Sequence, residues 1–289
     1  MQRILRWLSR RPLWLLHGVG AAVGWLTYAA SPTYRHRMLA NAARAGVGAS
    51  ARRGAIAEAG RALLELPYLW FRAPDAPIAP PVQWDGAALI DAAHRRGQGI
   101  VFLTPHMGSF EVTAQAYAER YAAAHGPITV LYRPARKRWL REVVDTSRAR
   151  PGLATAPATL AGVRQMIRAL RRGEAVGLLP DQVPPAGLGV WAPFFGRPAY
   201  TMTLAARLVQ QTGATPLLAW GERLARGRGY VVRLSALGDA LPGDGDAVAA
   251  ATVVNRAMEA LIRRAPQQYL WGYHRYKTPR QEADPRTEC

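Results

Sequence analysis

Short apolar runs of strand length alternate with helical segments through most of the chain. The runs cover residues 100–103, 128–133, 175–179, 216–220 and 230–234, and the last of them is expected to be antiparallel. Segments of helical composition lie among them, at residues 109–123, 201–211 and 247–264. Alternation of this kind predicts an α/β fold with a mixed central sheet flanked by helices.

An uncharged apolar run precedes this pattern. Residues 13–30 contain no charged side chain, and as a helix they would be about 27 Å long, just enough to cross a bilayer core. The run could span the membrane, lie in its interface, or be a cleaved signal peptide; a bulky Tyr28 at the expected cleavage site disfavours the last. We therefore expect a retained membrane-anchor helix over residues 1–33. Basic residues flank it on both sides and leave its orientation open.

The rest of the chain, residues 34–289, is expected to form one α/β domain. Residues 34–73 make a helical lead-in of two pieces, broken near Gly46 and Gly48. A proline-rich link over residues 74–81 follows, and the core of the domain begins there.

A histidine and a glutamate five positions apart follow the strand at residues 100–103. Five positions on a helix turn through about 500°, so a hydrogen bond between His106 and Glu111 requires His106 to lie in the turn before the helix, where Gly108 permits the bend. A neutral imidazole can then take a proton from a substrate alcohol, with a carboxylate on its other nitrogen. The alternative is a core histidine beside a helix-start glutamate.

Two other strands also end in polar residues. Arg133 ends the strand at 128–133, and Asp181 and Gln182 follow the strand at 175–179. Ligands gather at the carboxyl ends of strands in open α/β sheets, so Arg133 is a candidate for the same cleft. Arg133 would otherwise be a solvated cation, and Asp181 would otherwise cap the turn after its strand.

Composition narrows the partners. The net charge is +19, which favours an anionic partner such as a membrane surface or an acidic protein. Nucleic acid is not expected, because no basic and aromatic residues interleave on one face. The single cysteine, Cys289, excludes a disulfide framework and a cysteine metal site, and no metal-ligand cluster is visible. A nucleophile elbow typical of ester hydrolases is absent.

Four blocks of the sequence resemble the bacterial lipid A biosynthesis acyltransferases, the lauroyl/myristoyl acyltransferase family of the glycerolipid acyltransferase superfamily. The blocks are His106-Met107-Gly108-Ser109-Phe110-Glu111, Leu131-Tyr132-Arg133-Pro134, the stretch from Leu179-Pro180-Asp181-Gln182 to Pro198, and residues 266–278. The resemblance runs nearly from end to end and includes the N-terminal apolar run.

The resemblance implies transfer of a fatty acyl chain from acyl carrier protein, or from coenzyme A, to a hydroxyl of a lipid A precursor or related glycolipid. It implies His106 as general base assisted by Glu111, and a substrate-binding set of Arg133, Asp181, Gln182, Arg136 and Arg138. It also implies a bacterial inner-membrane location with the catalytic domain on the cytoplasmic face, and no metal or cofactor.

Some alternatives stay open. The acceptor could be a lysophospholipid or aminolipid, or the protein could bind membrane lipid without chemistry. Trp191, Phe194 and Phe195 could line an acyl groove or fill the core. His274 is expected to be buried rather than catalytic.

Overall fold

A seven-stranded mixed sheet forms the centre of the computed structural model, which describes residues 2–132, 150–243 and 245–281. The strands are β1 (Gln83–Asp85), β2 (Ile100–Leu103), β3 (Ile128–Tyr132), β4 (Leu153–Pro157), β5 (Ala175–Leu178), β6 (Gly189–Phe194), β7 (Arg197–Met202), β8 (Thr215–Arg223) and β9 (Tyr230–Ala236). Their order in the large sheet is β1-β9-β8-β2-β5-β3-β4. Neighbours run parallel except β8 and β9, so the predicted mixed α/β sheet and its antiparallel strand are confirmed.

Helices cover the sheet and precede it. They are α1 (Gln2–Ser9), α2 (Leu13–Ala30), α3 (Pro32–Arg44), α4 (Ala49–Leu64), α5 (Leu66–Trp70), α6 (Ala88–Arg95), α7 (Phe110–His125), α8 (Leu160–Arg171), α9 (Leu204–Thr212) and α10 (Ala247–Arg264). Ser31 caps α3 by accepting a hydrogen bond from the Tyr34 N–H, and Pro32 occupies the first helical position. The predicted break near Gly46 and Gly48 is confirmed, because α3 ends at Arg44 and α4 begins at Ala49.

Strand β2 lies at the centre of the core. All four of its residues are buried, and alternate side chains enter the two apolar clusters on opposite faces of the sheet. Ile100 and Phe102 pack with α6 and α7, whereas Val101 and Leu103 pack with α8, α9 and α10. A strand covered on both faces accounts for a continuous apolar run rather than an alternating one.

A separate hairpin, β6–β7, lies outside the large sheet. Its two turn residues, Phe195 and Gly196, both have positive φ, as a type I′ turn requires. Phe194 and Phe195 are buried in the core, so their core alternative is the correct one, whereas Trp191 is 47% exposed. The helix predicted at residues 201–211 begins later, at Leu204, because Thr201 and Met202 belong to β7.

Helix α2, the predicted anchor, is long and apolar enough to cross a membrane. It packs along α4 through glycines: a Cβ on Gly24 would lie 2.2 Å from the Ile56 carbonyl oxygen, and one on Gly60 would lie 1.9 Å from that of Gly20. The two helix backbones can approach this closely only because glycine has no Cβ atom. The anchor helix is thus in direct contact with the lead-in, and a separate unit over residues 1–33 stays a prediction.

Candidate active site

The turn between β2 and α7 carries His106. Strand β2 ends at Leu103 and α7 begins at Phe110, so His106 lies in the turn before the helix, as predicted. Gly108 has φ +57°, and a Cβ there would lie 2.1 Å from the Gly221 carbonyl oxygen. Glycine at this position therefore both permits the bend and lets the turn lie against β8. We call residues 104–109 the catalytic turn.

Asp181 holds His106 at two points. Its Oδ1 lies 2.7 Å from Nδ1 of the imidazole, and its Oδ2 accepts the backbone N–H of His106 at 2.9 Å. Strands β2 and β5 are parallel neighbours in which Leu103 pairs with Leu178. His106 and Asp181 each follow these paired residues by three positions, so the sheet register places the two side chains together.

The second ring nitrogen of His106 faces Gln182. The Gln182 amide nitrogen lies 2.9 Å from Nε2. A carboxylate can only accept, so Nδ1 carries the proton, and the amide N–H then donates to the lone pair of Nε2. In this tautomer Nε2 is available as a base, which is the state that a proton acceptor for an alcohol needs.

Electrostatics favour an ionised Asp181. Burial by itself raises the pKa of this carboxyl group, but the charge and hydrogen bonds of His106, together with the charge of Arg275, outweigh it, so its pKa lies below the ordinary value. The Asp181 side chain is 2% exposed, whereas that of His106 is 19% exposed. A buried anion behind a partly accessible imidazole can stabilise the imidazolium that forms when His106 takes a proton.

Glu111 does not occupy the place predicted for it. It lies in the first turn of α7, and the carboxylate on Nδ1 of His106 is that of Asp181. The expectation that Glu111 orients the imidazole is therefore wrong for Nδ1. The physical reason is that β5 lies parallel beside β2, so their register brings the Asp181 carboxylate to Nδ1. A catalytic role for Glu111 stays a prediction.

Other predicted site residues have different outcomes. Arg133, Arg136 and Arg138 lie outside the described residues. His274 is exposed, so the expectation that it is buried is wrong; its neighbour Arg275 is the buried residue, 2% exposed, and bonds to the Tyr200 carbonyl and the Thr201 hydroxyl.

A cavity of about 420 Å³ opens at His106. Its floor includes His106, Phe110, Asp181 and Gln182. Helices α2 and α4 form a largely apolar wall, with Val23, Gly24, Thr27, Ala59, Gly60 and Leu63. The sequence offered no sign that the anchor helix contributes to the site.

Comparison with known proteins decides the family. A family model described as "Bacterial lipid A biosynthesis acyltransferase" matches residues 10–278. The chain belongs to this family. Two Escherichia coli (strain K12) proteins, lipid A biosynthesis palmitoleoyltransferase and lipid A biosynthesis lauroyltransferase, are each 28% identical to it over 220 residues. In both cases the match covers 76% of this chain and 69% of the relative, and a Shigella flexneri lipid A biosynthesis acyltransferase matches to the same extent.

Membership confirms the resemblance inferred from the four blocks and makes the chain an O-acyltransferase of lipid A biosynthesis. Such an enzyme needs an acyl donor and a lipid A or glycolipid acceptor. A cavity lined by an imidazole and by the small and apolar residues of two helix faces suits both substrates, because it offers a polar group beside a surface for hydrocarbon.

In this lipid A biosynthesis acyltransferase, the closing block of the sequence surrounds the catalytic turn. The Gln268 carbonyl accepts the N–H of Gly108 at 2.8 Å, and the Leu270 N–H donates to the His106 carbonyl at 3.1 Å. The Tyr273 hydroxyl accepts the N–H of Val183 at 3.0 Å, one residue beyond Gln182. The block thus holds both segments from which the site is built.

Proposed function

We propose that the protein transfers a fatty acyl chain from acyl carrier protein to a hydroxyl of a lipid A precursor, with His106 as general base. The observation that carries this is the pairing of His106 Nδ1 with the buried Asp181 carboxylate at a largely apolar cavity that His106 itself lines. The thioester supplies a reactive carbonyl, so the substrate hydroxyl is the only nucleophile required.

In the first step Nε2 takes the proton of the acceptor hydroxyl while its oxygen attacks the thioester carbonyl. A carbon–oxygen bond forms, and the carbonyl electron pair moves to the oxygen. The start of α7, four residues after His106, places positive helix-end potential near this oxyanion. When the oxyanion collapses the carbon–sulfur bond breaks, and the leaving thiolate takes the proton back from Nε2. The products are an ester and a free thiol.

Charge supports acyl carrier protein as the donor. Acyl carrier proteins are strongly acidic, and this chain has a net charge of +19 with a basic cluster at Arg136, Lys137, Arg138 and Arg141. We assign this cluster to donor docking, Arg133 to an anionic group of the acceptor, and Glu111 and Gln182 to the reaction centre. Coenzyme A is the alternative donor.

We also propose that α2 lies in the membrane interface, on the cytoplasmic face of the inner membrane, rather than spanning it. Its residues Leu13, Leu16, His17, Gly20 and Gly24 are buried against the protein. The opposite face exposes apolar side chains: Trp14 (61%), Val19 (47%), Trp25 (43%) and Leu26 (68%). A spanning α2 would draw the charged helix α4, with Glu58 and Arg61, into the hydrocarbon, which is costly.

The experiment is acyl transfer by the purified enzyme with acyl carrier protein and coenzyme A thioesters, using a lipid A precursor and a lysophospholipid as acceptors. We expect His106→Ala to lower kcat by about 10²–10⁴-fold, the usual cost of losing a general base. His36→Ala, which changes an exposed histidine, is the matched control. Near-normal transfer by His106→Ala would refute the mechanism, and transfer only to the lysophospholipid would refute the acceptor.

A further inference from the structure

A buried ionic cluster contacts the catalytic turn at the Gly108 carbonyl. We call it the Arg223 cluster; its members are Arg223, Glu65, Glu58, His17 and Tyr230. Arg223 is the last residue of β8 and its side chain is 1% exposed. Its Nε–H and Nη2–H donate to the two carboxylate oxygens of Glu65 at 2.8 and 2.6 Å, and the Glu65 side chain is 2% exposed.

The same guanidinium holds the catalytic turn. A second Nη2–H donates to the Gly108 carbonyl at 2.9 Å, two residues from His106, and Nη1–H donates to Glu58 Oε2 at 2.5 Å. The guanidinium is planar, so two carboxylates that fix its edges also fix the direction of the remaining N–H. Two carboxylates of the lead-in, residues 34–73, therefore orient the N–H group that binds the Gly108 carbonyl.

Helix α2 joins the cluster through His17. Its Nε2 lies 3.2 Å from Glu65 Oε2, and the Tyr230 hydroxyl donates to the same oxygen at 3.1 Å. Arg61 donates from Nε to the His17 carbonyl at 3.4 Å. The helix that forms part of the cavity wall is thus linked to the catalytic turn through Glu65 and Arg223.

Fold stability does not by itself explain this arrangement. Buried ion pairs cost desolvation, and apolar residues of similar volume are commonly at least as stabilising. An apolar cluster would pack the same space but could not donate to the Gly108 carbonyl. Its direct hydrogen bond to the turn, beside the Gly108–Gly221 contact, connects the cluster to the segment that carries His106.

We propose that Arg223, held by Glu65 and Glu58, is a positioning residue for acyl transfer. It fixes the Gly108 carbonyl and thereby the placement of His106 Nε2 at the cavity. The inference rests on the proposed function, because it takes His106 as the base.

Arg223→Lys tests it. Lysine keeps the positive charge beside Glu65 and Glu58 but lacks the planar fork, so it cannot reproduce both the paired bonds to Glu65 and the bond to Gly108. We expect kcat to fall about 10–100-fold, with KM for donor and acceptor unchanged and the melting temperature close to that of the wild type. The matched control is Arg233→Lys: Arg233 also pairs with two carboxylates, those of Glu222 and Asp85, but its side chain is 36% exposed and lies on β9.

Wild-type kcat in a folded Arg223→Lys protein would overturn the inference, as would an equal loss in Arg233→Lys. If Arg223→Lys does not fold, Glu58→Gln decides: it removes one of the two carboxylates, and an unchanged kcat would overturn the inference. Absence of transfer by the wild-type enzyme would instead be a failure of the proposed function.

Discussion

The two ring nitrogens of His106 have different partners, and the proposed mechanism gives each nitrogen a different role. Nδ1 is held by a buried carboxylate, while Nε2 faces an amide at the edge of a cavity. In the proposed mechanism the substrate hydroxyl replaces the Gln182 amide at Nε2, while Asp181 keeps its two bonds to His106. The imidazole therefore stays oriented while its basic nitrogen changes partner, as general base catalysis requires.

Asp181→Asn tests whether the reaction needs the negative charge of this side chain. The neutral amide keeps the shape of the side chain but no longer stabilises an imidazolium, and it can hold the wrong tautomer. We expect kcat to fall about 10²–10⁴-fold with the fold retained, measured as initial rates with saturating substrates. Asp239→Asn, at an exposed position, is the control. Wild-type kcat in Asp181→Asn would show that the carboxylate is not needed, and a loss confined to Glu111→Gln would return the orienting role to Glu111.

The sequence predicted the place of His106 but not its partner. Its position depends on local signals, a strand end followed by a glycine and a helix start, and these are readable from spacing. The partner depends on strand order: β5 lies beside β2 although β3 and β4 come between them in the chain. His106 and Asp181 each follow the end of a predicted buried strand within three positions, and this was a signal that could have suggested the pair. His17 and Glu65, 48 positions apart, gave no such signal.

Helix α2 presents two different faces. The buried face carries His17, Gly20 and Gly24 and contacts α4, and its neighbours Val23 and Thr27 line the cavity. The exposed face carries tryptophans at positions 14 and 25, residues typical of a membrane interface. Apolar composition alone could not distinguish an interfacial helix from a spanning one, because the two differ in the surroundings of the face that does not pack on the protein. Deleting the helix would also remove part of the cavity wall, so point substitutions are the better test.

The prediction for α2 concerns the side of the membrane on which its N-terminus lies. In a Cys289→Ser background, a cysteine introduced by Arg3→Cys should react with a membrane-impermeant maleimide in inside-out vesicles and be protected in intact spheroplasts. Ala240→Cys, at an exposed position of the catalytic domain, marks the domain side and should behave identically. Labelling of the two cysteines from opposite sides would show that α2 spans the membrane.

Across the molecule, two buried carboxylates from distant parts of the chain are linked to the catalytic turn. Asp181 comes from the end of β5, and Glu65 comes from the junction of α4 and α5 and acts through Arg223. The α/β class could be predicted from the alternation of strand-length apolar runs with helical segments. The arrangement of Asp181 and Glu65 around one turn depends instead on how the lead-in packs on the ends of the strands. That packing joins segments distant in sequence, which spacing does not reveal.

The buried Glu65 carboxylate makes the stability of the fold depend on pH. Burial by itself raises the pKa of this carboxyl group, but the charge and hydrogen bonds of Arg223, with a further contribution from His17, lower it from an ordinary value of 4.5 to about 2. A carboxyl group with a lowered pKa in the folded state stabilises the fold above the pKa of the unfolded chain, and this stabilisation is lost as the pH falls through the folded value. The relevant window is therefore between pH 4.5 and about pH 2.

We expect Glu65→Gln to be less stable than the wild type at pH 7, because Arg223 loses a charged partner in a buried site. As the pH falls through this window, the difference in the free energy of unfolding between the wild type and Glu65→Gln should narrow by on the order of 3 kcal/mol. The reason is that only the wild type has the Glu65 carboxylate, whose stabilising contribution is lost on protonation. Asp181 titrates in both proteins, so its contribution cancels in the difference. Urea unfolding in detergent, at fixed ionic strength and a series of pH values, measures the gap. A gap that stays constant down to pH 2 would mean that Arg223 does not hold Glu65 in its ionised form.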